Sequence, residues 1–234
     1  MGIRAVLFDY GGTILDSASE QEAHRECLAR LVASHAVPLD PEEIQRRTEQ
    51  RLAAEAPLQA QAWTPLRVLI PRALAAVLEE FHVRLTDSEW RGFWQEYVAV
   101  HGEHARPFPE ARAALDLVAA AGVAAGLVSD VDRDYLAATL AATGLGGRFD
   151  PVITSEEVGA GKPSPRIFQA ALEALAMPAG EVAFVGDSLE RDVRGAERAG
   201  MVAIHLDRSG ATRHARTARD LVAAARLALA SSGY

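Results

Sequence analysis

Five short apolar runs, Ile3–Phe8, Ala124–Ser129, Pro151–Thr154, Val182–Gly186 and Val202–Leu206, constrain this chain more than any other feature of its sequence. None alternates apolar with polar residues, so each reads as a strand covered on both faces, not one with a wetted side. Between the last four lie helical patterns of roughly 10–15 residues, which gives a β-α-β-α-β-α-β-α order and a parallel sheet. The punctuation agrees. Ser164-Pro165 reads as an N-cap followed by proline at the first helical position, ahead of an apolar stripe of Ile167, Phe168, Ala171, Leu172 and Leu175. Gly144 and Gly200 stand where left-handed C-terminal caps belong. The expected fold is α/β, a Rossmann-like doubly wound parallel sheet.

The stretch 17–105 has no strand-like run and reads as four helices inserted after the first strand. The first covers about Glu20–Ser34, and the second follows Asp40-Pro41. The third covers about Thr64–Phe81, with Pro71 as a candidate kink. The fourth opens on Thr86-x-x-Glu89, a capping box, and sets Trp90, Phe93, Trp94 and Tyr97 on one face, a packing stripe. The expected division is a core of residues 1–16 plus 106–234 and a helical cap of 17–105. An insertion at that point overlies the carboxyl ends of the strands, where open parallel sheets bind ligands.

The 234 residues, 49% of them apolar, suffice for a real core, and 24 basic against 32 acidic side chains argue against binding nucleic acid or anionic membrane. A single cysteine, Cys27, leaves no internal disulfide and points to a reducing compartment. The apolar run at Met1–Asp9 is too short for a signal peptide, and no 18-residue apolar stretch occurs, so a cytoplasmic location is expected. Of the 24 basic residues only Lys162 is a lysine. Oligomeric state is not legible.

The strand ends carry an unusual set of polar residues. Strand one ends in Asp9-Tyr10-Gly11-Gly12-Thr13 and strand two in Ser129-Asp130. Gly159-Ala160-Gly161-Lys162-Pro163 follows strand three, and Gly186-Asp187-Ser188 follows strand four with Asp192 a turn later. Singly these read as turns, helix caps or a surface lysine. Jointly they place two carboxylates, a hydroxyl and a cation on one sheet edge. That set supplies a hard-cation site, a nucleophile and an oxyanion site, the requirements of phosphoryl chemistry.

Phe8–Asp16, Leu127–Asp130, Gly161–Pro163 and Val185–Ala196 resemble, in order, the four motifs of the haloacid dehalogenase superfamily of hydrolases, in the branch whose helical cap follows the first motif. The resemblance implies Asp9 as the nucleophile that forms an aspartyl-phosphate. It implies Mg²⁺ held by Asp9, the Gly11 carbonyl and Asp187, and phosphoryl binding by Gly11, Gly12, Ser129, Asp130 and Lys162. Asp192 and Ser188 would support them, and the substrate would be a small phosphorylated metabolite. One departure stands out: family phosphatases carry a second Asp two residues after the nucleophile, as general acid and base, and here that position is Gly11. Asp16, His24 and Tyr10 are candidate substitutes. Glu22, His24, Arg25, Arg46 and Arg47 are candidate specificity residues in the cap.

Three other readings follow from Gly11. A C–halogen hydrolase needs no acid there, but typically carries Tyr at that position and lacks the Gly186-Asp187 pair. A C–P hydrolase needs a cap lysine, and this cap has none. A member impaired in catalysis would bind a phosphorylated ligand or a partner and regulate.

Overall fold

A computed structural model describes residues 2–59, 62–212 and 214–231. The chain runs through β1 (Ala5–Phe8), α1 (Ser17–His35), α2 (Pro41–Gln59), α3 (Leu66–Leu78), α4 (Asp87–His104), α5 (Ala111–Ala120), β2 (Ala124–Ser129) and α6 (Arg133–Thr143). It continues through β3 (Val152–Thr154), α7 (Ser155–Val158), α8 (Pro165–Leu175), β4 (Val182–Gly186), α9 (Arg194–Arg198), β5 (Val202–Leu206), β6 (Thr217–Ala218) and α10 (Leu221–Ala230). The sheet is parallel throughout, in the order β3-β2-β1-β4-β5-β6. Five strands match the apolar runs. The sixth is a two-residue edge strand, Thr217–Ala218, with too few residues to carry a hydrophobic pattern.

Alternate residues of β1 feed opposite layers. Val6 and Phe8 pack with Leu115 of α5 and Leu221 of α10, while Ala5 and Leu7 pack with Ile167 and Phe168 of α8. Every residue of β1 and β4 is buried, which is why their sequences are continuously apolar. Each such fully buried aliphatic or aromatic side chain contributes roughly 1.5–3 kcal/mol. Register sets the sheet edge. Phe8 pairs with Leu127 on one side and Val185 on the other, so Asp9, Ser129 and Asp187 leave the sheet together. β1 lies between strands reached in opposite directions, the switch point at which such sheets form a ligand crevice.

Helices α1–α4 build their own apolar cluster from Leu28, Leu31, Ile44, Leu74, Val77, Phe93 and Tyr97. Pro71 does not break α3, which is helical from Leu66 to Leu78 before a 3₁₀ turn at Glu79–Phe81. Lying six positions into the helix, Pro71 forgoes one backbone hydrogen bond, and burial of its ring among apolar neighbours offsets that loss. The Thr86–Glu89 capping box forms as expected. The aromatic stripe does pack, with Trp94 stacked on Tyr97 at 5.2 Å, and Tyr97 reaches Tyr135 of α6 at 6.2 Å. The chain leaves and re-enters the sheet side by side, where the Asp16 N–H donates to the Arg106 carbonyl at 2.9 Å. No helix among the described residues is long and apolar enough to cross a membrane.

Candidate active site

The loop after β1 turns tightly around one carbonyl. The N–H groups of Thr13, Ile14 and Leu15 all donate to the Tyr10 oxygen, at 2.8–3.3 Å. Gly12 has φ +73°, and a Cβ there would stand 2.4 Å from the Asp187 Oδ2 atom, so both backbone angle and space require glycine. Its N–H donates to the Leu15 carbonyl at 3.0 Å. That corrects the expected phosphoryl contact from Gly12, whose donor is already spent. The Tyr10 and Gly11 N–H groups and the Gly11 carbonyl have no hydrogen-bond partner among the described residues.

Asp9 is buried, and its Oδ1 accepts from Lys162 Nζ at 2.5 Å. Lys162, also buried, donates at 2.7 Å to Asp192 Oδ1. Two of its three N–H donors are thus used and one is left. Burial alone would lower the Lys162 pKa, but the Asp192 and Asp9 carboxylates outweigh it and hold the ammonium charged. Burial pushes the Asp9 carboxyl up to about 7; Lys162 opposes the rise, and Asp192 and Asp187 add to it. Burial and Asp192 raise Asp187 as well. Lys162 and the Arg191 guanidinium, 3.6 Å from Asp130, thus face four carboxylates, those of Asp9, Asp130, Asp187 and Asp192, and the site is short of positive charge.

A π-helical turn at Leu189–Val193 carries Asp192 back to the sheet, so that its Oδ2 accepts from the Ser188 N–H at 2.9 Å. The Ser188 hydroxyl accepts from Arg191 N and caps the turn. A Cβ at Gly186 would meet Asp192 at 2.5 Å, so that strand must end in glycine. Asp9, Asp187 and Asp192 offer ligand oxygens within 4.8 Å of one another.

The Asp130 side chain holds the loop that carries Lys162. Its Oδ1 accepts from the Lys162 N–H at 2.8 Å and from Ser155 Oγ at 2.6 Å, which pins the loop that presents the lysine. This side chain thus positions the lysine, and Asp130 also lines the cavity with Asp9 and Ser129. The Ser129 hydroxyl makes no such bond and lines the cavity over Asp9.

That cavity, about 470 Å³, runs from Asp9 up between the cap helices. Its floor is polar, with Asp9, Gly11, Ser129, Asp187 and Arg191. Its walls are mainly apolar, with Leu28, Leu52, Leu69, Ile70, Leu74 and Phe93. The proposed cap arginines are elsewhere. Arg46 and Arg47 pair with Glu43, Arg47 also pairs with Glu80, and Arg25 is exposed. Glu22 pairs with Arg106. His24 does line the cavity, 2.6 Å from the Tyr97 hydroxyl, and burial lowers its pKa and keeps the ring neutral. Of the other substitutes for the missing acid, Tyr10 is fully buried in the apolar cluster under the sheet, where burial raises its phenol. The Asp16 carboxylate caps α1 through Ala18 N at 3.0 Å. Neither is placed to serve.

The carboxyl beside Gly11 belongs to Glu20, in the first turn of α1. A Cβ on Gly11 would lie 3.3 Å from its Oε2. Its Oε1 accepts from the buried Tyr135 hydroxyl at 3.2 Å. Burial pushes the Glu20 carboxyl up to about 7, against the Tyr135 hydrogen bond and with help from Asp187. Helical periodicity marks Glu20 only as a solvated first-turn acid, because nothing local shows that the preceding loop folds α1 back across Gly11.

The family model for haloacid dehalogenase-like hydrolases matches residues 3–200. A phosphoserine phosphatase of Thermus thermophilus is 42% identical over 101 residues, 43% of this chain and 41% of that protein, so the chain spans about two fifths of that relative. A glyceraldehyde 3-phosphate phosphatase of Methanopyrus kandleri is 28% identical over 213 residues, 88% and 84% of the two chains. The L-2-haloacid dehalogenase of Xanthobacter autotrophicus, 24% identical over 96% of this chain and 98% of its own, superposes with a TM-score of 0.74 and shares the fold. Sheet order, motif placement and the family match agree: the chain belongs to the haloacid dehalogenase-like hydrolases and is a hydrolase with an α-helical cap over a Rossmann-like core.

Proposed function

We propose that the protein is a Mg²⁺-dependent phosphatase that cleaves a small phosphate monoester through an aspartyl-phosphate on Asp9. The observation that carries this reading is the charge arrangement at the floor of the cavity. Three carboxylates converge within 4.8 Å around a single buried ammonium, an arrangement that a hard divalent cation completes. Asp9 and Asp187, with the unbonded Gly11 carbonyl, would hold Mg²⁺, and Asp192 would brace Lys162 beside it. When bound, the ion offsets the repulsion between an anionic nucleophile and an anionic substrate. The relatives named as phosphatases support the same chemistry.

The residues divide the work simply. Lys162 holds one Asp9 oxygen and turns the other toward phosphorus, while its remaining N–H meets a phosphoryl oxygen. The Ser129 hydroxyl and the free Tyr10 and Gly11 N–H groups take the other oxygens. The organic part of the ester extends into a chamber whose walls are mainly apolar and carry no Lys or Arg above the floor, which suits a predominantly apolar group without a second negative charge.

Hydrolysis of aryl and alkyl phosphates with and without Mg²⁺, with Asp9→Asn as control, tests this reading. Metal-dependent turnover that the variant lacks is the expected result. Absence of turnover across the panel contradicts it, and so does Mg²⁺-independent release of halide from a 2-haloacid. Tight binding of a phosphorylated metabolite without turnover favours the regulatory alternative.

A further inference from the structure

We infer that Glu20, delivered by the cap, is the general acid and base for which position 11 has no side chain; this rests on the phosphatase reading above. The geometry is specific. An aspartate at position 11 would send its carboxyl outward from the Cβ, and the atoms nearest that Cβ position are the carboxyl group of Glu20: Oε2 at 3.3 Å, Oε1 at 3.6 Å and Cδ at 3.8 Å. A carboxyl group therefore occupies the neighbourhood of the missing one, supplied from α1 instead of from the β1 loop.

Its two oxygens are in different situations. Oε1 is held by the hydroxyl of Tyr135, which projects from α6 of the core. Oε2 has no hydrogen-bond partner among the described residues and lies on the Gly11 side. Glu20 and Asp9 line the same cavity. The other carboxyls there are otherwise engaged or placed. Asp9 and Asp187 belong to the cation cluster, Asp130 holds the Lys162 loop, and Glu49 of α2 accepts from Gln45 Nε2 at 2.8 Å.

The proton transfers balance over one turnover. Asp9 forms a bond to phosphorus as the ester P–O bond breaks, and protonated Glu20 gives its proton to the departing alkoxide. Water then attacks phosphorus, its proton returns to the Glu20 carboxylate, and the bond between Asp9 and phosphorus breaks. Alcohol and phosphate leave, and both side chains return to their starting states. Because the acid belongs to an inserted helix and is held by a core tyrosine, proton transfer requires the contact between Glu20 and Tyr135.

The decisive test is dependence on the leaving group. Glu20→Gln keeps the shape and removes the proton. It is expected to lower kcat/KM for alkyl phosphates about 10²–10⁴-fold, and that for nitrophenyl phosphate, whose phenolate leaves unaided, by less than about 10-fold. Gly11→Asp in a Glu20→Ala background should restore a substantial part of the alkyl phosphate activity, since it returns a carboxyl to the same space. Gly11→Asp alone should not raise alkyl phosphate activity above that of the unsubstituted protein, because its Cβ already meets Glu20. Equal losses on alkyl and aryl esters, no loss on alkyl esters, or failure of the double variant to exceed Glu20→Ala would each overturn the assignment. Thermal unfolding of Glu20→Gln matching the unsubstituted protein excludes misfolding as the cause of a loss. If the unsubstituted protein cleaves none of these esters, the phosphatase reading itself fails, a result distinct from all of these.

Discussion

The sheet edge and the cap chamber meet at one cavity but are built on opposite principles. At the sheet edge a hydrogen-bonded charge network sets the geometry: Lys162 bridges Asp9 and Asp192, Asp130 pins the Lys162 backbone, and the Ser188 N–H holds Asp192. In the chamber the walls are mainly leucine, isoleucine and phenylalanine side chains, with Gln45, Thr48 and Glu49 of α2 among them. The first arrangement fixes the geometry of a single chemical step and would serve any phosphate monoester. The second selects by shape and dryness and can be altered without touching the reacting atoms. Glu20 joins them, as a cap residue placed at the core's chemistry.

Substitutions should separate the two regions, and the largest effect belongs to the sheet edge. Asp9→Asn is expected to reduce turnover about 10⁴-fold or more for every ester, whatever its organic part, as assayed by phosphate release. Lys162→Met leaves Asp9 and Asp192 buried without their cation. It should cost about 3–5 kcal/mol in urea unfolding at neutral pH, with loss of activity. Lys162→Arg should not rescue it, because a planar guanidinium does not fit a pocket closed around an ammonium.

Changes in the chamber should act on KM and on substrate choice. Ile70→Arg places a cation in the apolar wall; it is expected to raise KM for aryl phosphates about 10-fold and to favour esters bearing a second carboxylate. An equal loss on acetyl phosphate, which does not reach that wall, would contradict the separation. The last effect is one of stability and appears only in acid. Burial, reinforced by His24, lowers the His101 pKa to about 3, so the folded protein holds this ring neutral while the unfolded chain protonates it near pH 6.5. The stability it contributes is full above pH 6.5 and declines as pH falls toward 3, by up to about 1.4 kcal/mol per pH unit. His101→Phe should flatten that acid limb in urea titrations read by fluorescence.

Much of this was legible in the sequence because both-face burial leaves a one-dimensional trace. The continuous apolar runs gave five strands, and their polar ends gave Asp9, Ser129, Lys162 and Asp187. Thr217–Ala218 is an edge strand held by the pairing of His205 with Thr217, and two residues carry no period. The cap's specificity residues were harder to read because a helix face must be known before its charges can be placed. Arg46 and Arg47 fit an anion as sequence, yet their partners Glu43 and Glu80 lie on the outer surface. Glu20 was hidden for a third reason. Its meaning depends on a loop that reverses between Thr13 and Ser19, closed by hydrogen bonds to the Tyr10 and Asp16 carbonyls.

Covalent capture decides whether Asp9 is the nucleophile. Protein mixed with an aryl phosphate and Mg²⁺, then quenched in acid within one turnover, should carry a phosphoryl group on the peptide containing Asp9. Asp9→Asn should carry none, and omission of Mg²⁺ should abolish the adduct. Turnover that proceeds with no phosphorylated Asp9 peptide, and that Asp9→Asn leaves intact, would exclude Asp9 as the nucleophile.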